Sequence, residues 1–92
     1  MTDASTYTPD LVRFVRAEFL PGGERTHLDE TTPLLESGIL DSLRIAVLLG
    51  YIRDELGLRV PLAAMDATNF RDIRTIAELL SRQAEQEAGQ TA

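Results

Sequence analysis

The sequence predicts an all-α domain whose helical segments are interrupted by one long loop. Three observations carry this. Apolar residues recur at three- and four-residue spacing in three separate stretches. No stretch shows the sustained alternation of a strand. Proline, glycine and capping acids fall at the ends of the apolar stretches. A length of 92 residues with 43% hydrophobic content fits a single domain with a modest core.

The first helix is expected from Thr8-Pro9-Asp10, which offers a cap, a proline in the first turn and an acid near the positive end. Residues 1–7 ahead of it read as a loose, flexible tail. Leu11, Val12, Val15 and Phe19 share one face, with Phe14 at its edge. Pro21-Gly22-Gly23 is expected to end this helix. A connection of about twenty residues follows, long enough to imply function or hidden local structure. Thr32-Pro33 can open a single helical turn there. Leu34, Leu35, Ile39 and Leu40 can pin the loop to the helices. His27 is the sole histidine and has no nucleophile or second ligand nearby, so it reads as a surface residue.

The second helix is expected over residues 42–56, stopped by Gly57. It carries two apolar stripes. Ile45, Leu48, Leu49, Ile52 and Leu56 form the stripe assigned to the core. Leu43, Val47 and Tyr51 lie nearly opposite, with Gly50 and Asp54 beside them. Either loop residues such as Leu40 or Leu62 cover this second stripe, or it is an exposed docking surface. Its start beside Ser42 favours docking.

Leu58 to Leu62 reads as an extended linker broken by Pro61. Residues 66–72 can form one or two helical turns with Phe70 inward. Thr75-Ile76-Ala77-Glu78 reads as a capping box opening the last helix, whose inner face holds Ile76, Leu79, Leu80 and Ala84. The polar end beyond residue 84 is expected to fray. The predicted core is Phe19, Ile45, Leu49, Ile52, Phe70, Ile76 and Leu80.

Composition excludes several classes of function. A net charge of −6 gives no basic face for nucleic acid. The absence of cysteine rules out disulfides and thiolate metal sites, and no metal site is expected. No apolar run is long enough to span a membrane, and the N-terminus lacks the features of a signal peptide. A cytoplasmic, monomeric protein is expected, with neither nucleic acid nor membrane as partner. A hydrolase built on a serine is a poor reading, because one histidine and no lysine leave no plausible base.

The informative stretch is Glu36-Ser37-Gly38-Ile39-Leu40-Asp41-Ser42-Leu43. Asp41 reads as an N-cap, which puts Ser42 at the first helical position, where backbone N–H groups lack intrahelical partners. The hydroxyl then faces solvent beside the positive end of the helix dipole, and a phosphate ester on it would sit in a favourable field. The alternative is an ordinary cap with a solvent-facing neighbour.

This stretch, with Thr32-Pro33-Leu34 before it and Asn69-Phe70 and Thr75-Ile76 after it, resembles the attachment motif of the acyl and peptidyl carrier proteins. The resemblance covers about residues 8–82. It implies a four-helix bundle with a long first loop and a short third helix. Residues 8–84 would form the carrier domain, between a flexible tail at 1–7 and a frayed one at 85–92. It implies no enzyme activity for the chain alone. It further implies covalent 4′-phosphopantetheine on Ser42, with Asp41 as the motif acid that also serves the modifying transferase and Leu43 next to the arm.

The implied partners are a phosphopantetheinyl transferase, an adenylating or acyl-transferring loading enzyme, and synthase enzymes of polyketide or nonribosomal peptide type. Carriers of the fatty-acid type often line the second helix with acids. Here that side shows Arg44, Val47, Gly50 and Tyr51, with acids returning at Asp54 and Glu55, so a more apolar docking surface is expected. Its members are expected to be Ile39, Leu40, Leu43, Arg44, Val47, Gly50, Tyr51 and Asp54. Asn69-Phe70 resembles the stand-alone peptidyl carriers of specialised metabolism. The competing reading is a helical interaction module with Ser42 unmodified or phosphorylated.

Overall fold

A computed structural model describes residues 4–20 and 28–89. The described residues hold three α-helices and no strand, joined by turns and short irregular segments. They are α1 (Ala4–Phe19), α2 (Ser42–Tyr51) and α3 (Ile73–Gly89). A π turn, Ile52–Leu56, continues α2, and a 3₁₀ turn, Leu62–Ala64, precedes α3. The expected stop at Pro21-Gly22-Gly23 and the surface reading of His27 lie outside the described residues.

The α1 helix buries Tyr7, Leu11, Val15 and Phe19, one residue per turn on one face. It starts at Ala4, ahead of the expected Thr8, so residues 4–7 of the expected loose tail are helical. Pro9 therefore lies inside the helix, where a proline removes one i→i−4 hydrogen bond. The gain on the other side is the burial of Tyr7 against the core.

Helix α3 packs along α1 and buries Ile73, Ile76, Ala77, Leu79 and Leu80. Its cap is Asp72, three residues before the expected Thr75. The Thr75 N–H donates to Asp72 Oδ1 (2.8 Å), and the Ile76 N–H donates to the Asp72 carbonyl (3.1 Å). Asp72 is buried, and its carboxyl lies below the ordinary carboxylate range. Desolvation pushes it up, but the hydrogen bonds from Thr75 and the charge of Arg71, with Nε 3.5 Å away, outweigh that.

A lowered folded value means the charged form supports the fold. The contribution is complete above the ordinary value near ~3.9 and is lost as pH falls through the lowered one. Asp72→Ala is expected to cost about 0.5–2 kcal/mol at neutral pH. In urea melts the gap between variant and wild type should close on acidification below that range. A gap independent of pH would show that the carboxylate is not the capping group.

The long loop is held by backbone hydrogen bonds. The Arg74 N–H donates to the Glu30 carbonyl (2.8 Å), and the Leu34 N–H donates to the Arg71 carbonyl (2.8 Å). Arg16 Nη2 reaches the Leu28 carbonyl (3.0 Å). One orphan donor of the first turn of α3 is thereby satisfied by the loop itself. Leu28, Leu34, Ile39 and Leu40 of the loop are buried, and of the four expected anchors Leu35 alone is only half-buried.

In α2 the stripe assigned to the core does face inward, centred on Leu48 and Ile52, both fully buried. Ile45, Leu49 and Leu56 pack at its edges, half-buried. Gly57 closes the π turn at φ +71, a left-handed conformation that favours glycine. Its N–H donates to the Ile52 carbonyl, and so does that of Leu58 (3.2 Å).

In place of a regular third helix the chain makes the 3₁₀ turn and then a single turn capped by Asp66. Asp66 Oδ1 accepts from the Asn69 N–H (2.8 Å), and the Asp66 carbonyl accepts from the Phe70 N–H (3.1 Å). Phe70 points inward at 1% exposure.

Candidate functional site around Ser42

Asp41 lies in extended backbone and its Oδ1 accepts from the Arg44 N–H at 2.9 Å, the N-cap geometry the sequence predicts. The Ile45 N–H donates to the Asp41 carbonyl (2.8 Å), so the helix is closed from Ser42 onward. Ser42 is exposed at the first helical position. The N–H groups of Ser42 and Leu43 precede the first closed turn and point out of the helix end.

Beside Ser42 opens a cleft of about 290 Å³, lined by Leu35, Ile45, Met65, Asp66, Ala67 and Phe70. It lies between the loop, α2 and residues 65–70, which follow the 3₁₀ turn. Both nearby carboxylates are turned to backbone donors, Asp41 to Arg44 and Asp66 to Asn69. A phosphodiester on the serine would therefore meet N–H groups at the helix end, with the apolar cleft alongside. The residues present fit such a group.

The expected docking residues separate into three sets. Leu43 (74%) and Val47 (44%) are exposed large hydrophobics on the outer side of α2. A Cβ built on Gly50 meets nothing within 4 Å, so no internal contact demands a glycine there. Asp54 is exposed and paired with Arg53 Nε at 3.0 Å.

Ile39 and Leu40 require a correction. They are 4% and 2% exposed, core residues without the accessible area a docking contact needs. Gly38, at φ +82, turns the chain, and Ile39 and Leu40 then lie inward, with the Leu40 N–H donating to the Leu34 carbonyl (3.0 Å).

Tyr51 and Arg44 are both half-buried and engaged within the chain. The Tyr51 ring stacks on Phe14 with centroids 4.0 Å apart. Burial raises its phenol above the ordinary value, and the Asp10 carboxylate adds to that. The Arg44 guanidinium lies against the loop and the Phe19 ring.

Met65 is 40% exposed at the rim of the cleft and was not among the expected site residues. The only local signal for it is its place at the end of the run Leu62-Ala63-Ala64-Met65. No periodicity identifies its partners.

A small helical support, a capped helix start with an exposed serine, and an apolar cleft beside that serine leave room for a group carried on the hydroxyl. The chain belongs to the phosphopantetheine attachment site family, whose profile matches residues 20–82. It is 31% identical over 72 residues to "Probable acyl carrier protein PigG" of Serratia sp. (strain ATCC 39006), across 78% of this chain and 82% of that one. It is also similar to a chain in a solved structure described as "Crystal structure of FAD-dependent dehydrogenase". That similarity has 35% identity and a TM-score of 0.72, and covers 77% of this chain and 99% of that chain.

The protein is accordingly a carrier and not an enzyme, and its cofactor is covalent 4′-phosphopantetheine. When attached, that group supplies a thiol able to hold an acyl group as a thioester. Carriers of this family work with a phosphopantetheinyl transferase and with synthase enzymes. No helix among the described residues is long and apolar enough to cross a membrane.

Proposed function

We propose that the chain is a discrete carrier of a natural-product pathway of polyketide or nonribosomal peptide type. Ser42 bears the arm, and the cargo is an acyl or aminoacyl thioester. The observation that carries this reading is the exposed Ser42 at the capped start of α2, beside an open apolar cleft, in a chain that belongs to the family.

Asp41 fixes the helix start, and Leu43 lies next to the origin of the arm. Leu43, Val47 and Gly50 form the middle of the docking surface, with Asp54 at its edge. We read residues 66–72, reduced to a single turn, as the short third helix of a four-helix bundle, and residues 8–84 as the functional domain, monomeric and cytoplasmic.

The similar chain in the FAD-dependent dehydrogenase structure is 99% covered by 77% of this one, so it is itself of carrier size. This supports a flavin-dependent dehydrogenase among the synthase partners, alongside a loading enzyme of the adenylating or acyl-transferring type.

Loading tests the reading. The pantetheinylated protein, given ATP, candidate amino or carboxylic acids and an adenylating enzyme from its host, should gain the mass of one acyl group, released by hydroxylamine. Failure to gain mass with every acyl-activating or acyl-transferring enzyme of the host would contradict it.

A further inference from the structure

The guanidinium of Arg44 is placed against the expectation for a helix start. The first turn of a helix favours acids, because its dipole is positive there. Arg44 lies in that first turn, and its side chain reaches back out of the helix. Nη1 donates to the Ile39 carbonyl at 3.0 Å and to the Gly38 carbonyl at 3.4 Å. The guanidinium carbon lies 5.6 Å from the centroid of the Phe19 ring. The backbone N–H of the same residue receives the Asp41 cap. One residue thus joins the end of α1, the turn at Gly38 and the start of α2.

We propose that Arg44 is a positioning residue for the modification of Ser42, acting on its own loop and not on the partner. The turn it holds is the segment that delivers Asp41 and Ser42 to the surface. Gly38 has the left-handed conformation that a loop leaves readily when unsupported. Charge-assisted donation to two successive carbonyls, with the planar group also resting on an aromatic face, is geometry that a lysine cannot reproduce. With the turn held, a transferase meets a preformed shape. Without it, the loop must be ordered on binding, which weakens binding and leaves the chemistry at the hydroxyl unchanged.

This rests on Ser42 as the modified residue for its kinetic arm only. The structural arm is read on the unmodified protein. The Leu40 N–H, bonded to the Leu34 carbonyl, reports opening of the loop by hydrogen exchange. The Ile76 N–H in α3 serves as the internal reference.

Arg44→Gln is expected to speed Leu40 exchange by roughly tenfold or more, with Ile76 unchanged. It should raise the transferase KM by a similar factor at nearly constant kcat. Arg44→Lys, which keeps the charge and can donate but lacks the planar fork, should fall between, and it carries the test if the glutamine variant does not fold. Unchanged Leu40 exchange in both variants would overturn the proposal. So would a KM that Arg44→Lys restores fully while Leu40 exchange stays as fast as in Arg44→Gln, since that would make Arg44 a charge contact with the transferase.

Discussion

Leu48→Ala and Ile52→Ala should each lower stability by about 2–5 kcal/mol, the range for removing a buried aliphatic side chain from a packed site. Both side chains have no exposed surface. They lie on the inward face of α2 and the π turn that continues it, in one cluster with Leu11, Leu34, Phe70 and Ile76. A domain of this size has a total stability of only about 5–15 kcal/mol, so either change takes a large share. Leu49→Ala should cost less, because Leu49 is half-buried at the edge of the stripe. Denaturant melts separate these cases. Equal losses for Leu48→Ala and Leu49→Ala would mean that the centre of the stripe is misplaced by one residue.

The second large effect concerns docking. Val47→Asp should slow loading by the cognate enzyme by roughly tenfold or more, since an unpaired charge in a desolvated contact costs over ~1.4 kcal/mol. Val47 is one turn along α2 from Leu43, and both are exposed. If Ser42 bears the arm, as proposed, a partner that receives the arm must cover the surface next to that serine. Apolar residues in the middle of such a patch supply affinity, and charges at its rim govern orientation. The variant should melt near the wild-type temperature, because an exposed substitution away from caps and core changes stability by about 0.5 kcal/mol or less. Unfolding of Val47→Asp, or loading at the wild-type rate, would place the docking surface elsewhere.

How far the sequence foretold this arrangement depended on how local the deciding physics was. The start of α2 was readable because Asp41 and Ser42 carry it alone, through one cap hydrogen bond. The inward face of α2 was readable from periodicity. The loop anchors Leu34, Ile39 and Leu40 were readable as apolar residues in an otherwise polar stretch.

The start of α1 was missed because proline favours the first turn, and that weak preference gave way to the burial of Tyr7. The start of α3 was missed because Asp72 and Thr75 are both competent caps. The choice between them turns on burying Ile73, a tertiary fact. Ile39 and Leu40 are near Ser42 in sequence but not on the surface. The turn at Gly38 sends them inward. The Arg44 contacts with Gly38 and Ile39, and Met65 at the cleft, depend on chain reversals that no local pattern encodes.

The central claim is that Ser42 is where the arm attaches, and mass spectrometry of the modified chain tests it most directly. The unmodified protein, given coenzyme A and a broad-specificity phosphopantetheinyl transferase, should gain one phosphopantetheine, found on the peptide that contains Ser42. Ser42→Ala should keep its helical circular dichroism and melting temperature, since the side chain is exposed and buries nothing, and should gain no mass. A wild-type chain left unmodified, or a Ser42→Ala chain that still takes up the group, would contradict the account.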